Sequence, residues 1–537
     1  MAERLPYRFA TTAPLRYIVA LFLTTLQTAC GGERPHGVLV VATPGEPATL
    51  FPPHIRSAQE IAIASQIFLK LVDIGPGLNT VGDSGFVPEL AESWTFRDST
   101  TIAFRLDPAA RWQDGTPVSA RDVGFTFAVY RDTLVAAPAA PLLSRIRSVD
   151  AEDEHTVVVR FTVPYPAQFY DAVYHMRILP AHLLDTIPRA ALRAHPALAR
   201  PVGSGPYRVA RWLPGELVEL EAVPDWWGHA VGAERVIFRV TADLQTAIGQ
   251  LVAGEAQIVE ALPTAEDVAR VNGSQVARAV EFPSAVYIYL GFNLAMPPLQ
   301  DRRLRQALTL TVDRAALVDV VLGGRGVVPA GPVTPAVWIS AGAQGQPPAD
   351  PAGARDRLEA LGWVDRDGDG IREQDGRRLA FDILYPAQSG IRERTAVILE
   401  QQFRAVGVAV RLVPLEFNTF IERQTQGRFD AVLGGWQVDL LPDAMRELWG
   451  SEGIGGSNYG RYASATFDSL VRAASTSRDV ATARDTWHRA LAEINADAPA
   501  VWLFSPQLAA GVAQGVEGVT LRPDNWAATL RGWRVVR

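Results

Sequence analysis

The stretch RERTAVILEQQFRAVGVAVRLVPL, residues 392–415, joins two patterns that together indicate an α/β fold. Its first part has apolar residues at helical spacing and stops at Gly407, and the apolar, β-branched run VAVRLVPL follows at once. The same order returns twice, because FNTFIERQTQG precedes FDAVLGGW, and DVATARDTWHRALAEINADAP precedes AVWLF. Helices that alternate with strands in this way predict an α/β lobe whose sheet faces a cleft.

The first half of the chain is rich in predicted strands. Alternating, β-branched runs occur at 38–43 (VLVVAT), 155–163 (HTVVVRFTV), 216–222 (ELVELEA) and 234–240 (ERVIFRV). No repeat of fixed period is present, which argues against a solenoid or a propeller. A chain of 537 residues is also too long for one compact core, so we expect two or three lobes.

Composition indicates a folded protein that has no nucleic-acid partner. Hydrophobic residues make up 48% of the chain and charged residues 20%, which is ordinary for a globular protein. The net charge is -7, and the positive residues are spread without blocks, so no basic surface is expected to attract a polyanion. Lys70 is the only lysine; all other cationic side chains are arginines, which suit forked pairing with carboxylates.

The N-terminus has the three-part layout of an export signal. Arg4, Arg8 and Arg16 precede the apolar run 17–26, and small residues then lead to Cys30, the only cysteine. The apolar run is shorter than the roughly 20 residues that a membrane-spanning helix needs. A cysteine after small residues resembles a bacterial lipobox, which implies that the thiol is acylated and anchors the exported protein. The alternative is a cleaved secretory signal with an incidental thiol.

The sequence lacks common catalytic motifs, so we predict a protein that is not an enzyme and that has no cofactor and no catalytic residue. No P-loop surrounds the only lysine, and neither HExxH nor GxSxG occurs. His175 and His182 are separated by Pro180, which interrupts a shared helical face, so no metal site is predicted there.

The acidic segment DRDGDGIREQDG, residues 365–376, is similar in its first half to a calcium-binding EF-hand loop. Asp365, Asp367 and Asp369 alternate as the first ligands of such a loop would. Gly376 stands at the twelfth position, where the bidentate glutamate belongs. We therefore predict a turn between a helix and a strand and no metal site.

Aromatic residues lie within or beside several predicted turns, in the segments RWQDG, PDWWG, YIYLGFN and LGGWQVD. Tryptophan and tyrosine in such places offer flat apolar faces with a polar edge, as ligand clefts do. Single aromatic residues more often fill cores, but the group as a whole favours a protein that encloses a ligand.

Several segments, in this order, resemble the family 5 extracellular solute-binding proteins, the oligopeptide- and dipeptide-binding components of ABC importers. They are VPELAESWTFRDSTTIAFRLDPAARWQDGTPVSARDVGFTF (87–127), VGSGPYRVARW (202–212), AVPDWWG (222–228) and YLGFNLAMPPLQDRRLRQALTLTVDR (289–314). Three later segments continue the resemblance, which covers roughly residues 38–505. The resemblance implies two α/β lobes joined by a hinge, with an extra domain inserted in the first lobe and a ligand between the lobes.

The domain plan that the resemblance implies is a periplasmic-binding-protein-like one. It has a signal peptide at 1–29, a lipid-anchored tether at 30–37, lobe I at 38–57, 178–283 and 500–537, an inserted domain at 58–177, and lobe II at 284–499. The implied protein is a monomer in the periplasm or at the cell surface. It captures short peptides and delivers them to an ABC permease in the inner membrane.

The resemblance also implies the ligand-binding residues. An extended peptide needs strand-like pairing for its backbone and a carboxylate for its ammonium terminus. In the segment GGWQVD, Gly435 and Gln437 would contact the peptide backbone, Trp436 would lie beside it, and Asp439 would bind the ammonium group. Glu46, in the early turn PGEPATL, would belong to a second contact segment.

Other interpretations stay open at this point. Asp439 could be a solvated loop carboxylate, and a family member could bind a metal chelate, a sugar oligomer, an opine or haem in place of a peptide. Outside the family, a secreted hydrolase or a lipoprotein with a chaperone or adhesive role are the alternatives.

Overall fold

One large sheet of mixed strand directions runs through most of the protein. The computed structural model describes residues 37–228 and 231–536. In this part of the chain the strands of six residues or more are β1 Val38–Thr43, β2 Ala91–Asp98, β3 Thr101–Leu106, β4 Ile146–Ala151, β5 Thr156–Phe161, β6 Tyr207–Leu213, β7 Leu217–Ala222, β8 Arg235–Val240, β9 Ala277–Pro283, β10 Val286–Phe292, β11 Ala380–Pro386, β12 Ala409–Leu415, β13 Ala431–Gln437 and β14 Ala500–Ala513.

Helices cover this sheet and connect its strands. The α-helices of the described ranges are α1 Ala58–Ile67, α2 Ala120–Arg131, α3 Gln168–Val173, α4 Ala181–Leu184, α5 Leu244–Ala253, α6 Ala265–Gly273, α7 Arg302–Thr311, α8 Arg314–Leu322, α9 Pro351–Ala360, α10 Gly390–Arg404, α11 Phe417–Thr425, α12 Ala444–Trp449, α13 Ala465–Ala474 and α14 Val480–Asp497. None of these helices has the length and apolar character needed to cross a membrane.

The large sheet divides into two halves that share one strand. Its order is β12, β11, β13, β10, β14, the short strand Ile258–Val259, β1, β8, β7 and β6, and β9 also pairs with β14. The first residues of β14 pair with β10, up to Phe504 opposite Ile288, whereas its last residues pair with β9 from Gln507 onward. The chain therefore passes between the halves within β14 and again between β9 and β10.

The pairing of β14 places the point where the chain passes from lobe II to lobe I a few residues later than the predicted domain boundary. The sequence-based plan ends lobe II at residue 499, but residues 500–504 still pair with β10 and pack into the hydrophobic cores of that half. The crossing lies at Ser505 and Pro506, where the Ser505 hydroxyl donates a 2.7 Å hydrogen bond to the carbonyl of Val286. The predicted α/β class is confirmed, with one half of the sheet in each lobe.

A second, smaller sheet lies within the range predicted for the inserted domain. It is antiparallel, in the order β2, β3, β5, β4, and α2 packs against β4. The helix α2 begins with a capping box, in which Asp122 accepts a 2.8 Å hydrogen bond from the Ser119 backbone N–H. The core of this unit is continuous with that of lobe I. The boundaries 58 and 177 themselves stay a prediction.

The helix and strand around Gly407 follow the sequence pattern closely. Ser389 caps α10 by accepting a hydrogen bond from the Arg392 N–H, and the helix ends at Arg404. Gly407 then takes a left-handed conformation, with φ of +85°, so that the chain can turn back into β12. β12 pairs in parallel with β11, which is the α/β arrangement expected from this stretch.

The inserted unit contacts lobe II as well as lobe I. Val81 is buried in the core of lobe II, beside Val333 and Trp338. The Trp338 indole N–H donates a 3.1 Å hydrogen bond to the hydroxyl of Thr80. These contacts hold the two sides of the molecule together across the cleft.

Candidate functional site

Strand β13 leaves part of one edge without a partner strand. On one side it pairs with β10 over its whole length, from Ala431 opposite Phe292 to Gln437 opposite Val286. On the other side β11 pairs with only its first two residues. Beyond them, no strand of the described ranges faces this edge of β13. Because N–H and C=O groups alternate along a strand, those on this side are placed to pair with an added extended chain.

Asp439 follows the open edge by two residues. Its carboxylate is exposed, and no described residue donates a hydrogen bond to it or forms an ion pair with it. It lies beside an apolar pocket formed in part by Val333, Val337 and Met445. An unpaired carboxylate at the end of an open strand can accept the ammonium group of a ligand.

The charge of Asp439 affects the pKa of a tyrosine in the inserted unit, Tyr170. The pKa of the Tyr170 hydroxyl lies well above its ordinary value, first because of burial and then because of nearby Tyr174, Asp171 and Asp439. Tyr170 belongs to α3, whereas Asp439 belongs to lobe II. Leu440, the next residue after Asp439, is buried in the core that the inserted unit shares with lobe I, so Asp439 stands where lobe II meets that unit.

The other residues predicted in the GGWQVD segment have different environments. Gln437 is exposed at the end of β13, whereas Trp436 is partly buried and stacks on Tyr459, with ring centroids 5.6 Å apart. A Cβ on Gly435 would lie 2.7 Å from the Arg392 Nη2 atom and from the Ile288 Cδ1 atom. The structure thus brings Gly435, Gln437 and Asp439 along one strand end, with Trp436 packed beside them.

Arg392 is a further residue of this site that the sequence did not indicate. It stands in the first turn of α10, and its guanidinium lies over Gly435. Its Nε atom is buried and has no hydrogen-bond partner among the described residues. Burial lowers the pKa of Arg392, and the nearby Tyr289 partly opposes this effect. Nothing in a run such as RER distinguishes this arginine from its exposed neighbours.

A cavity of about 320 Å³ opens on the side of lobe I and the inserted unit. Tyr174 forms part of its wall and stacks on Tyr170, with ring centroids 4.6 Å apart. The charged residues around the cavity are Lys70, Asp73, Glu89, Arg177, Arg522, Asp524 and Arg531. The tyrosine pair therefore forms part of the wall of this charged cavity through Tyr174.

This arrangement, with an open strand edge, an unpaired carboxylate and a cavity on the side of lobe I and the inserted unit, is that of a binding protein. The sequence model of the bacterial extracellular solute-binding proteins, family 5 Middle, matches residues 85–457. The chain belongs to this family. An extracellular family indicates an exported protein, and its members bind solutes.

Individual family 5 proteins are similar to the chain over nearly its full length. The oligopeptide-binding protein AppA of Bacillus subtilis is 25% identical over 542 residues, which cover 97% of this chain and 98% of AppA. The structure of that AppA in complex with a nonapeptide aligns with 94% of this chain and all of its own, with a TM-score of 0.64. HbpA2 from Haemophilus parasuis aligns over 93% and 99%, with a TM-score of 0.77 and 23% identity, and so shares the fold.

Glu46 is engaged within its own lobe of this family 5 protein. Its carboxylate accepts a 2.5 Å hydrogen bond from the N–H of Gly215, in the turn between β6 and β7. It is not among the residues that line the cavity described above. The role predicted for Glu46 in ligand contact stays a prediction, and Cys30 lies outside the described residues.

The remaining sequence candidates are held by neighbouring groups. His175 pairs with Asp171 at 3.1 Å, and His182 pairs with Asp114 at 2.7 Å, so the two histidines do not share a site. In the acidic segment, one oxygen of each of Asp365, Asp367 and Glu373 can lie within 4.8 Å of the others. The Asp365 carboxylate, however, accepts hydrogen bonds from two backbone N–H groups of its own turn, those of Gly368 and Gly370.

Proposed function

We propose that this family 5 protein captures short peptides between its lobes and delivers them to an ABC permease in the inner membrane. The observation that carries the proposal is the open edge of β13, which ends at the unpaired carboxylate of Asp439. Backbone groups at such an edge pair with the amides of an extended peptide, and the carboxylate binds its ammonium terminus. The oligopeptide-binding relative AppA, whose structure holds a nonapeptide, supports this choice of ligand.

The first test is to identify what the protein retains. A pool of random peptides of three to nine residues is mixed with the purified protein, unbound peptides are removed by gel filtration, and retained peptides are identified by mass spectrometry. We expect retained peptides to be recovered intact, because the proposed role is transport without catalysis. Retention of no peptide, or recovery of cleaved peptides only, would contradict the proposal.

Asp439→Asn is expected to weaken the binding of peptides that have a free amino terminus by about 10–100-fold. The substitution keeps the shape of the side chain and removes the charge that meets the ammonium group, and hydrogen bonds to charged groups contribute about 1.5–3 kcal/mol. Isothermal titration calorimetry with one retained peptide and its N-acetylated form measures the effect. The acetylated form should bind the original protein and the variant equally.

Asp375→Asn is the matched control, since Asp375 is exposed and far along the chain from β13. It should leave the affinity for both forms of the peptide unchanged. If Asp439→Asn also leaves both affinities unchanged while peptides still bind, Asp439 is not the ammonium acceptor, although the proposed function stands.

The finer assignment of location rests on Cys30. We infer that this thiol carries a lipid and anchors the protein, as a monomer, outside the inner membrane. The support is the arrangement of arginines, apolar run and small residues before the only cysteine. Labelling of cells with an alkyne fatty acid should mark the protein, and Cys30→Ser should abolish the label. Equal labelling of the two forms would contradict the lipid anchor.

A further inference from the structure

The cavity on the side of lobe I is lined by many charged groups, whereas a peptide backbone is uncharged and requires none of them. Most of these groups neutralise one another. Arg522 pairs with Asp73 at 2.6 Å and with Asp524 at 2.7 Å. Arg531 pairs with Glu89 at 3.4 Å. Every carboxylate that lines the cavity is thus already paired with an arginine.

Two cations of the cavity, Lys70 and Arg177, have no such partner. Within residues 37–228 and 231–536, neither side chain forms an ion pair or donates a hydrogen bond. The Lys70 Nζ atom lies 3.8 Å from the centroid of the Tyr174 ring, on its face. The Nε atom of Arg177 is buried and has no hydrogen-bond partner. We call these two side chains the cation pair.

The lining of the cavity contains one cation more than it has carboxylates, because Lys70, Arg177, Arg522 and Arg531 stand against Asp73, Glu89 and Asp524. Burial and then the like charge of Arg177 disfavour the charged form of Lys70, and the charges of Asp73, Asp524 and Glu89 oppose this effect only in part. The face of Tyr174 offsets part of this cost for Lys70. A carboxylate in the cavity would supply the missing opposite charge and hydrogen-bond acceptors for both side chains.

The cation pair is also placed to act on the same ligand as Asp439. Tyr174 lies under Lys70 and stacks on Tyr170, and Tyr170 in turn senses the charge of Asp439. Asp439 is thus one of the charges that act on Tyr170, together with Asp171 and with Asp524 of the cavity. A ligand that reached both the cation pair and Asp439 would meet positive and negative charge, which matches a zwitterion.

We propose that Lys70 and Arg177 bind a carboxylate of the ligand, so that the protein selects short peptides that bear a carboxylate. This inference rests on the proposed function. The carboxylate has two possible sources in a peptide, the carboxyl terminus and the side chain of an aspartate or glutamate. Both present the same chemistry to the cation pair.

Three pools of random peptides, three to six residues long, test the proposal. The first has free carboxyl termini and no acidic residue, the second has amidated termini and includes aspartate and glutamate, and the third has amidated termini and no acidic residue. The purified protein is incubated with each pool, and retained peptides are quantified by mass spectrometry after gel filtration. We expect at least tenfold more retention from the first or second pool than from the third.

The pool that is preferred identifies the source of the carboxylate. Equal retention from all three pools overturns this inference but leaves peptide capture intact. Retention from none of them removes the proposed function and this inference together. The two failures are therefore distinguishable in one experiment.

Variants assign the preference to the cation pair. In the double variant Lys70→Met, Arg177→Met, retention from the preferred pool relative to the third should fall to about one. Lys70→Arg and Arg177→Lys should each keep a preference, which separates loss of charge from loss of folding. Arg303→Met removes an exposed arginine that pairs with Asp301 and should leave the ratio unchanged. A double variant that folds and keeps the full ratio overturns the proposal.

The pH gives an independent test of Lys70. Its pKa is lowered to about 8, first by burial and then by Arg177, against the opposing charges of Asp73, Asp524 and Glu89. The other titratable side chains that line the cavity are Tyr130, Tyr174, His175, Arg522 and Arg531. A bound carboxylate raises the pKa of Lys70, so binding to the acidic ligand takes up a proton near pH 8.

The preference for a carboxylate should consequently fall between pH 7 and pH 9.5, as Lys70 loses its charge. The amino terminus of the peptide titrates in the same range, but it is shared by all three pools and cancels in the ratio. In Lys70→Arg the ratio should stay constant over this range. A wild-type ratio that does not change with pH contradicts the assignment to Lys70.

Discussion

Gly203→Ala should destabilise the protein by about 4 kcal/mol or more, enough to prevent folding of lobe I. A Cβ at this position would lie 1.9 Å from the carbonyl oxygen of Ile67 and 2.6 Å from its carbonyl carbon, at the end of α1. Both are backbone atoms, so no side chain can move aside. Gly203 is also held by two hydrogen bonds with Gln113, through its N–H and its carbonyl.

The effect is measured as the loss of soluble protein and as a lower midpoint of thermal unfolding. Gly249→Ala is the matched control, because a Cβ there meets no atom within 4 Å and the residue lies inside α5. Alanine is favoured over glycine in a helix, so the control should gain about 0.5–1 kcal/mol. A Gly203→Ala variant as stable as the original protein would mean that the end of α1 is not packed as described.

Arg522→Met should cost about 3–5 kcal/mol near neutral pH. The Arg522 side chain is only 8% exposed and bridges Asp73 and the buried Asp524. Its removal leaves two carboxylates that are mostly shielded from water and that have lost their main cation. Breaking a buried pair in this way is costly, because the remaining charges are not compensated.

The cost of Arg522→Met should depend on pH. Burial tends to raise the pKa of Asp73, but the bond to Arg522, its charge and that of Lys70 bring this pKa below the ordinary value. In the original protein, the stabilising effect of this carboxylate is present above its unfolded pKa of about 3.9 and lost as pH falls through the lower folded value. In the variant, burial raises the pKa of Asp73 in the folded state. Protonation at lower pH then removes its uncompensated charge.

The difference in stability between the two proteins should therefore be largest near pH 7 and shrink toward pH 4. Denaturant unfolding at a series of pH values measures it. Arg303→Met provides the comparison, since the Arg303 side chain is 73% exposed and its pair with Asp301 contributes little. A constant deficit across this pH range would show that packing, and not the carboxylates, accounts for the loss.

Local patterns predicted the parts of this fold that depend on local interactions. The helix and strand around Gly407 lie within three residues of their predicted ends, because a cap, an apolar stripe and a left-handed glycine suffice to define them. The segment GGWQVD was predicted from resemblance, and the structure places it at an open strand edge. Both signals are contained in a few consecutive residues.

Features that depend on distant residues could not be predicted from the sequence. β14 was predicted only as the five residues AVWLF, because its second half consists mostly of small residues and is stabilised by strands more than 200 residues away in the chain, without the apolar, β-branched and aromatic pattern that marks its first half. The cation pair could not be predicted from the sequence either, since Lys70 and Arg177 are 107 positions apart in the numbering. Their importance arises because the carboxylates of the cavity form their ion pairs with Arg522 and Arg531, which only a folded structure reveals.

The passage of β14 through both halves of the large sheet has a consequence for unfolding. Ala510 and Val512 belong to the core of lobe I, whereas Val501 and Leu503 belong to a core of lobe II. If either core melts, this strand loses half of its hydrogen-bonded neighbours and frays from within the other core. The lobes should consequently denature as one cooperative unit, and calorimetry should record a single heat-absorption peak for both.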